Sequence, residues 1–369
     1  MSRFLRLLIV SSLSLVVACT PRGTITLFPD AAGVGLSRHI FVGTTRGVDD
    51  DGRLNNNRSP NVSYHRYDVS VPPKHEVGEI EWPKRKPDAA KNFLTTSVNH
   101  YPAAPGFKAD LARSLRSRPK GQREVALFVH GFNNTYAEGI YRLAQLSADM
   151  EMPNPSVHFS WPSAGSTLGY GYDRDSILSA RDGLEELIKT IRSAGADQIL
   201  LVGHSMGALL SMETLRQMAI SDVRSMNRSI SGVILISPDI DVDVFRRQAD
   251  RIGPLPQPFV IFTSSKDRAL RLSARLSGQQ ERLGTVRNSR RLKGLEIALL
   301  DVTDFSEGPT GHFNAATSPS LIKILKRLND VNIAFRNDPA GRTGLLSGTI
   351  LTVQQATNLI LSATTVKPD

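Results

Sequence analysis

The sequence predicts an α/β protein: a mostly parallel central sheet flanked by helices, with extra strands contributed by the N-terminal part of the chain. Three observations carry that expectation. Short apolar runs alternate with helix-period segments over residues 123–329, the pattern of a parallel sheet covered on both faces. Within that series, Gly203-His204-Ser205-Met206-Gly207 stands between a strand-like run at 198–202 and a helix-like one at 208–219, so a serine tops a sharp strand-to-helix turn. The chain has 369 residues, 40% of them hydrophobic, enough for one large core, and no long repetitive or biased segment argues for a solenoid or for disorder.

Taken in order, residues 1–18 stand apart from the globule. Arg3 and Arg6 precede an apolar stretch at 7–17, which is short for a bilayer span and is arranged like the basic and apolar regions of an export signal. It ends in Val16-Val17-Ala18-Cys19, which resembles the lipobox of bacterial lipoproteins. That resemblance implies cleavage before Cys19 and lipid on its thiol, with the protein exported and anchored to a membrane of the cell envelope, facing the periplasm. An ordinary secretory leader with an incidental cysteine is the other reading. Cys19 is the sole cysteine, so no intrachain disulfide can form and stability must come from the packed core.

Residues 19–120 form an N-terminal extension. His39-Ile40-Phe41-Val42-Gly43 and the run at 64–71 read as edge strands, separated by an Asp- and Asn-rich stretch at 49–61 and stopped by Pro72-Pro73. The regular part spans 121–335. Its strands are expected at 125–129, 157–161, 198–202, 232–236, 259–262 and 295–300, and its helices at 136–150, 177–194, 208–219, 242–251, 269–282 and 321–329. In the tail, 336–369, Leu346, Ile350, Val353 and Ile360 fall on roughly one helical face, which fits packing on the body better than lying on a membrane.

In such a sheet a reactive site belongs at the carboxyl ends of the strands. Ser205 is there, and the glycines two before and two after it allow the close backbone approach that so tight a turn requires. Val129-His130-Gly131-Phe132-Asn133-Asn134 occupies the equivalent end of the first strand of the regular series. Here the sequence resembles the alpha/beta-hydrolase superfamily, with a nucleophile elbow, a His-Gly-x loop, and partners arriving downstream in the order acid then histidine. The resemblance implies an alpha/beta-hydrolase fold, Ser205 as nucleophile, and an oxyanion hole made by the backbone N–H groups of Phe132 and Met206. It implies His312, in Gly311-His312-Phe313, as general base, with Asp267 as the acid that orients it. Asp239 and Asp241 are alternative acids, and each could instead cap a helix. His130 is read as a brace for the oxyanion loop, and Trp161, Tyr170 and Tyr172 either line an acyl pocket or pack into the protein.

Phe41-Val42-Gly43-Thr44-Thr45-Arg46, Trp161-Pro162-Ser163, Ser237-Pro238-Asp239-Ile240-Asp241 and Asp267-Arg268-Ala269-Leu270 extend the match to an uncharacterised bacterial alpha/beta-hydrolase family. The activity this resemblance implies is that of a serine hydrolase, foremost a carboxylic-ester hydrolase, acting on a small-molecule or lipid ester without cofactor or metal. A catalytically silent hydrolase-fold lipoprotein serving in envelope binding or assembly is a different class of answer, and a peptidase or acyltransferase would share the same triad. The net charge of +10 does not imply nucleic acid, because the basic residues are scattered and no zinc spacing or RNA-binding signature accompanies them. The densest basic region, Arg271, Arg275, Arg282, Arg287, Arg290, Arg291 and Lys293, reads as a solvated helix face and loop, or as an attraction for anionic lipid or envelope polymer.

Overall fold

Eight strands run parallel in the centre and on one side of a single sheet, and two more extend it on the other side. The computed structural model describes residues 22–278, 281–287, 289–305, 312, 317–326 and 350–352. The leader, Cys19, Gly311, Phe313 and the tail beyond 352 lie outside them. The strands are β1 (Leu36–Val48), β2 (Leu54–Val71), β3 (Leu94–Tyr101), β4 (Glu124–Val129), β5 (Ser156–Ser160), β6 (Gln198–His204), β7 (Ile230–Ile236), β8 (Phe259–Thr263), β9 (Ala298–Asp301) and β10 (Ile350–Thr352). Their spatial order is β10-β9-β8-β7-β6-β4-β5-β1-β2-β3.

The apolar runs become strands because they are buried on both faces: every residue of β5 and of β8 is buried. On one side of the sheet α1 (Ala104–Leu115), α4 (Arg181–Ser193), α5 (Met206–Ser229) and α6 (Val242–Ile252) close a core with Leu111, Leu187, Leu215 and Phe245. On the other side α2 (Tyr136–Asp149) and α8 (Pro319–Lys326) cover a second cluster that includes Ile140, Leu143, Phe128 and Leu321. Two further helices, α3 (Tyr170–Ser179) and α7 (Arg268–Leu276), follow β5 and β8. Each fully buried Leu or Phe contributes about 1.5–3 kcal/mol, so these two layers supply the stability that a chain without disulfides needs.

The extension is part of the sheet. β1 pairs in parallel with β5, from Ile40 opposite Ser156 to Thr44 opposite Ser160, and antiparallel with β2. β1 is therefore an interior strand, and the edge falls to β3, whose Thr, Ser, Asn and His residues hide it from an apolar-run reading. The expected helix at 177–194 is two helices with a break at Ala180. The expected helix at 269–282 ends at Leu276, ahead of Gly278, which has φ +67°. The helix after Ser205 continues to Ser229 through a non-helical Asp222. Ile350–Thr352 is a strand parallel to β9, where a helical face was expected, because β9 offers an open edge to an apolar segment with β-branched residues. Among the described residues no helix is long and apolar enough to cross a membrane.

Candidate active site

Everything at the site depends on how β6 turns into α5. Ser205 adopts φ +52°, ψ −119°, a conformation that costs a non-glycine residue about 1–3 kcal/mol and persists only where its surroundings hold it. They do so from three directions: the Ser205 N–H donates to the carbonyl of Ile236 (3.0 Å), and its own carbonyl accepts from Ala208 (3.1 Å) and Asp239 (3.2 Å). A Cβ on Gly207 would lie 2.3 Å from the His130 carbonyl oxygen, so the first turn of α5 and the end of β4 meet backbone to backbone. A Cβ on Gly131 would lie 2.6 Å from His204 Nδ1 and 2.9 Å from Ser205 Cβ. The loop after β4 is thus pressed against the serine turn, and only glycine fits.

The structure brings Asp267 and His312 together. His312 Nδ1 lies 2.8 Å from Asp267 Oδ2, and Asp267 is fully buried. An ionised carboxylate only accepts, so in the neutral ring the proton belongs on Nδ1 and Nε2 keeps its lone pair. The second oxygen, Oδ1, accepts the Leu270 N–H at 2.9 Å and caps α7. Asp267 thus meets the imidazole with one oxygen and the helix N-terminus with the other. The ring of His312 stands 4.9 Å from the ring of His204, the residue before Ser205. His204 is buried, hydrogen-bonds the His312 backbone, and is held well below its usual pKa by desolvation and then by the neighbouring imidazole.

The alternative acids are engaged elsewhere. Asp239 pairs with the buried Arg282 (Oδ1 to Nε, 3.1 Å) and accepts from Ser273 Oγ (2.5 Å) and Tyr170 Oη (3.1 Å). Arg282 accordingly leaves the solvated basic region in which the sequence put it. Asp241 caps α6 by accepting from the N–H groups of Asp243 and Val244.

Among the described residues the backbone N–H groups of Phe132 and Met206 make no hydrogen bond, whereas the neighbouring donors are taken: Asn133 by Asp173 (3.2 Å), Asn134 by Ser163 Oγ (3.2 Å) and Ala208 by Ser205. The loop that carries Phe132 is wired by charged residues that sequence reasoning missed. Asp173, fully buried, accepts from Ser163 Oγ (2.6 Å), Ala164 N (2.6 Å) and Asn133 N, and burial raises its pKa. Arg46, equally buried, donates to Ser160 Oγ, the Ser163 carbonyl and the Asn134 carbonyl, each at 3.1 Å, and desolvation lowers its pKa to about 10. The motif Phe41–Arg46 was visible in sequence, but nothing in it announced that its arginine would reach two other loops.

His130 is the brace that the sequence suggested. Its ring stacks on Trp161 at 4.7 Å and 12°, and Trp161 Nε1 donates back to the His130 carbonyl at 2.7 Å. Trp161 is completely buried and so packs rather than lining an open pocket. Tyr170 sets its ring 5.6 Å from Phe132, while Tyr172 hydrogen-bonds the Asn56 carbonyl beneath the Arg58 guanidinium. Among the described residues no group of three or more His, Cys, Asp or Glu could hold a metal ion.

Residues 104–328, more than half of the chain, match the family model described as alpha/beta hydrolase of unknown function (DUF900). An uncharacterized protein of Nostoc sp. is 40% identical over 63 residues, 17% of this chain and 16% of that one, so the chain spans only a small part of that relative's length. Among solved structures, an esterase of Pyrobaculum calidifontis is 14% identical, with 81% of this chain and 88% of that one covered and a TM-score of 0.36. A CIB-like hydrolase of Thermoplasma acidophilum is 18% identical over 57% of this chain and 88% of that one, with a TM-score of 0.35.

Proposed function

The chain belongs to this family of alpha/beta hydrolases, and from that premise we propose that it is a serine hydrolase of carboxylic esters, lipid-anchored through Cys19 in the bacterial cell envelope. The observation that carries the reading is the Asp267–His312 hydrogen bond of 2.8 Å beside a serine held at positive φ. That bond leaves Nε2 of His312 as a base. In the proposed reaction Nε2 takes the Ser205 proton as Oγ bonds to the ester carbonyl carbon, and the carbonyl electron pair moves onto oxygen, facing the N–H groups of Phe132 and Met206. Collapse of the tetrahedral species breaks the bond to the alcohol, which leaves with the proton from His312. Water, deprotonated by the same nitrogen, then releases the acid and restores Ser205.

Each oxyanion donor is worth about 3 kcal/mol in the transition state, which is why acceptor-free N–H groups beside the serine support the reading. The test is a panel of acyl esters of graded chain length, run on the wild type and on Ser205→Ala. Hydrolysis that falls by about 10⁶ in the variant is expected. No turnover by either protein across the panel would overturn the proposal in favour of a silent hydrolase-fold lipoprotein, and equal turnover by both would overturn Ser205 as the nucleophile.

A further inference from the structure

Two features of the site's rim are not used by the reaction. The first is Arg22, three residues after Cys19. Its guanidinium donates to Asn133 Oδ1 (2.6 Å), the Asn133 carbonyl (2.5 Å), the Gly165 carbonyl (2.7 Å) and the carboxylate of Glu138. Asn133 follows Phe132, so Arg22 ties the start of the mature chain to the proposed oxyanion loop. Three residues reach at most about 10 Å.

The second feature is the outer face of α7. Leu270, Ser273 and Ala274 face inward, while Lys266, Arg268, Arg271, Arg275, Leu272 and Leu276 face solvent, the two leucines 56% and 63% exposed. Leucines set among arginines make up the kind of surface that seeks an anionic bilayer interface. This helix belongs to the same rim: Asp267 caps it, and Ser273 Oγ lies 2.6 Å from the hydroxyl of Tyr170, whose ring packs on Phe132. Leu168, 94% exposed, sits between Gly165, which Arg22 holds, and Tyr170, which touches α7.

Resting on the esterase and anchor readings above, we infer that Leu168, Leu272, Leu276 and the α7 arginines dock on an anionic bilayer, and that the site takes acyl esters carried by that membrane. Arg22 and Leu168 both border the Gly165 turn, and Tyr170 links that turn to α7, so a lipid joined just ahead of Arg22 would hold this face of the molecule towards the membrane. The arginines complement lipid phosphates, and the leucines reach the boundary between headgroup and acyl chain, the depth at which a glycerolipid ester carbonyl lies.

The test uses the mature chain from Thr20 onward, made without lipid so that the surface alone is read, with phosphatidylglycerol or phosphatidylcholine vesicles. Cosedimentation is expected with the anionic vesicles only, and it should weaken as salt rises. Arg275→Gln should lower that binding about fivefold. The pair Leu272→Ser/Leu276→Ser should lower binding and the hydrolysis of a vesicle-borne ester together, with turnover of a water-soluble short-chain ester unchanged. In Leu168→Trp, emission should shift to the blue on anionic vesicles. Vesicle binding that is absent, or equal in wild type and variants, overturns the inference even if soluble ester is hydrolysed. Failure to hydrolyse any ester, with vesicle binding intact and sensitive to the substitutions, overturns the esterase reading and supports the docking surface.

Discussion

A single carboxylate at Asp267 holds an imidazole with one oxygen and a helix N-terminus with the other. The two roles separate by substitution. Asp267→Asn keeps a capping oxygen but no longer enforces the tautomer that leaves Nε2 free, and kcat is expected to fall by about 10⁴ with the fold intact. Asp267→Ala should add about 1 kcal/mol of destabilisation from the lost cap, read as a lower urea midpoint. Asp239→Asn should behave in the opposite way. It strands the buried Arg282 guanidinium, so about 3–5 kcal/mol of stability is lost while activity per folded molecule is retained. At this scale the meeting of Asp267 with His312 was legible, because both follow strands in a series whose order, acid then histidine, is itself informative. Arg46, Asp173 and Arg22 were not. A lone arginine or aspartate in a loop has no spacing signature, and its role comes from the loops that tertiary packing brings around it.

Between residue and fold lies the tightly constrained turn from β6 to α5. Its glycines were readable as a motif, and the contact of Gly207 with the His130 carbonyl gives the reason. Gly207→Ala is expected to push α5 away from β4, lowering thermal stability and moving Met206 out of line with Phe132. Ester turnover per folded molecule should then fall at least as far as removal of one oxyanion donor, about 10²-fold or more. The six apolar runs from β4 to β9 were legible because strands buried on both faces are mostly apolar, with few polar interruptions. β3 and α1 were not: one is a polar edge strand, and the other opens with Ala-Pro-Gly, which reads as a loop. The segment before β3 is clamped to the C-terminal end of α2 by His75, with Nδ1 3.0 Å from Glu81 and Nε2 2.8 Å from Asp149. These carboxylates outweigh the largest single influence, burial, and raise the His75 pKa. Its contribution is present in full below about pH 6.5 and fades as pH rises through the raised folded value. His75→Gln should remove that alkaline-side decline from a stability profile.

Across the whole molecule the acid side is governed by histidines of the opposite kind. Burial lowers His65 to about 4 and His158 to about 3, and holds His130 and His204 well below the ordinary value. Below about pH 6.5 the unfolded chain binds protons at these positions that the folded chain refuses, so stability falls with acid, by up to about 1.4 kcal/mol per pH unit for each. Urea midpoints taken from neutral pH downward should drop steeply before the carboxylates titrate, and His158→Asn should shallow the slope. A flat profile over that range would mean that the four rings are not kept neutral by the fold. The sheet, the two helical layers and the site at the strand ends form one unit, in which β1 and Arg46 of the extension support the loop carrying Phe132. That long-range dependence is why β1 read as an edge strand in sequence: it joins β5 across more than a hundred residues, and no local pattern records the pairing.

The central claim is that folding makes one serine hydroxyl, Ser205, reactive through an imidazole fixed by Asp267. Treating the mature protein with a fluorophosphonate and locating the adduct by peptide mass spectrometry tests it most directly. Stoichiometric modification on the peptide that contains Ser205, abolished in Ser205→Ala and slowed strongly in Asp267→Asn, is the predicted result. An unmodified folded protein, or an adduct on any other residue, would contradict it.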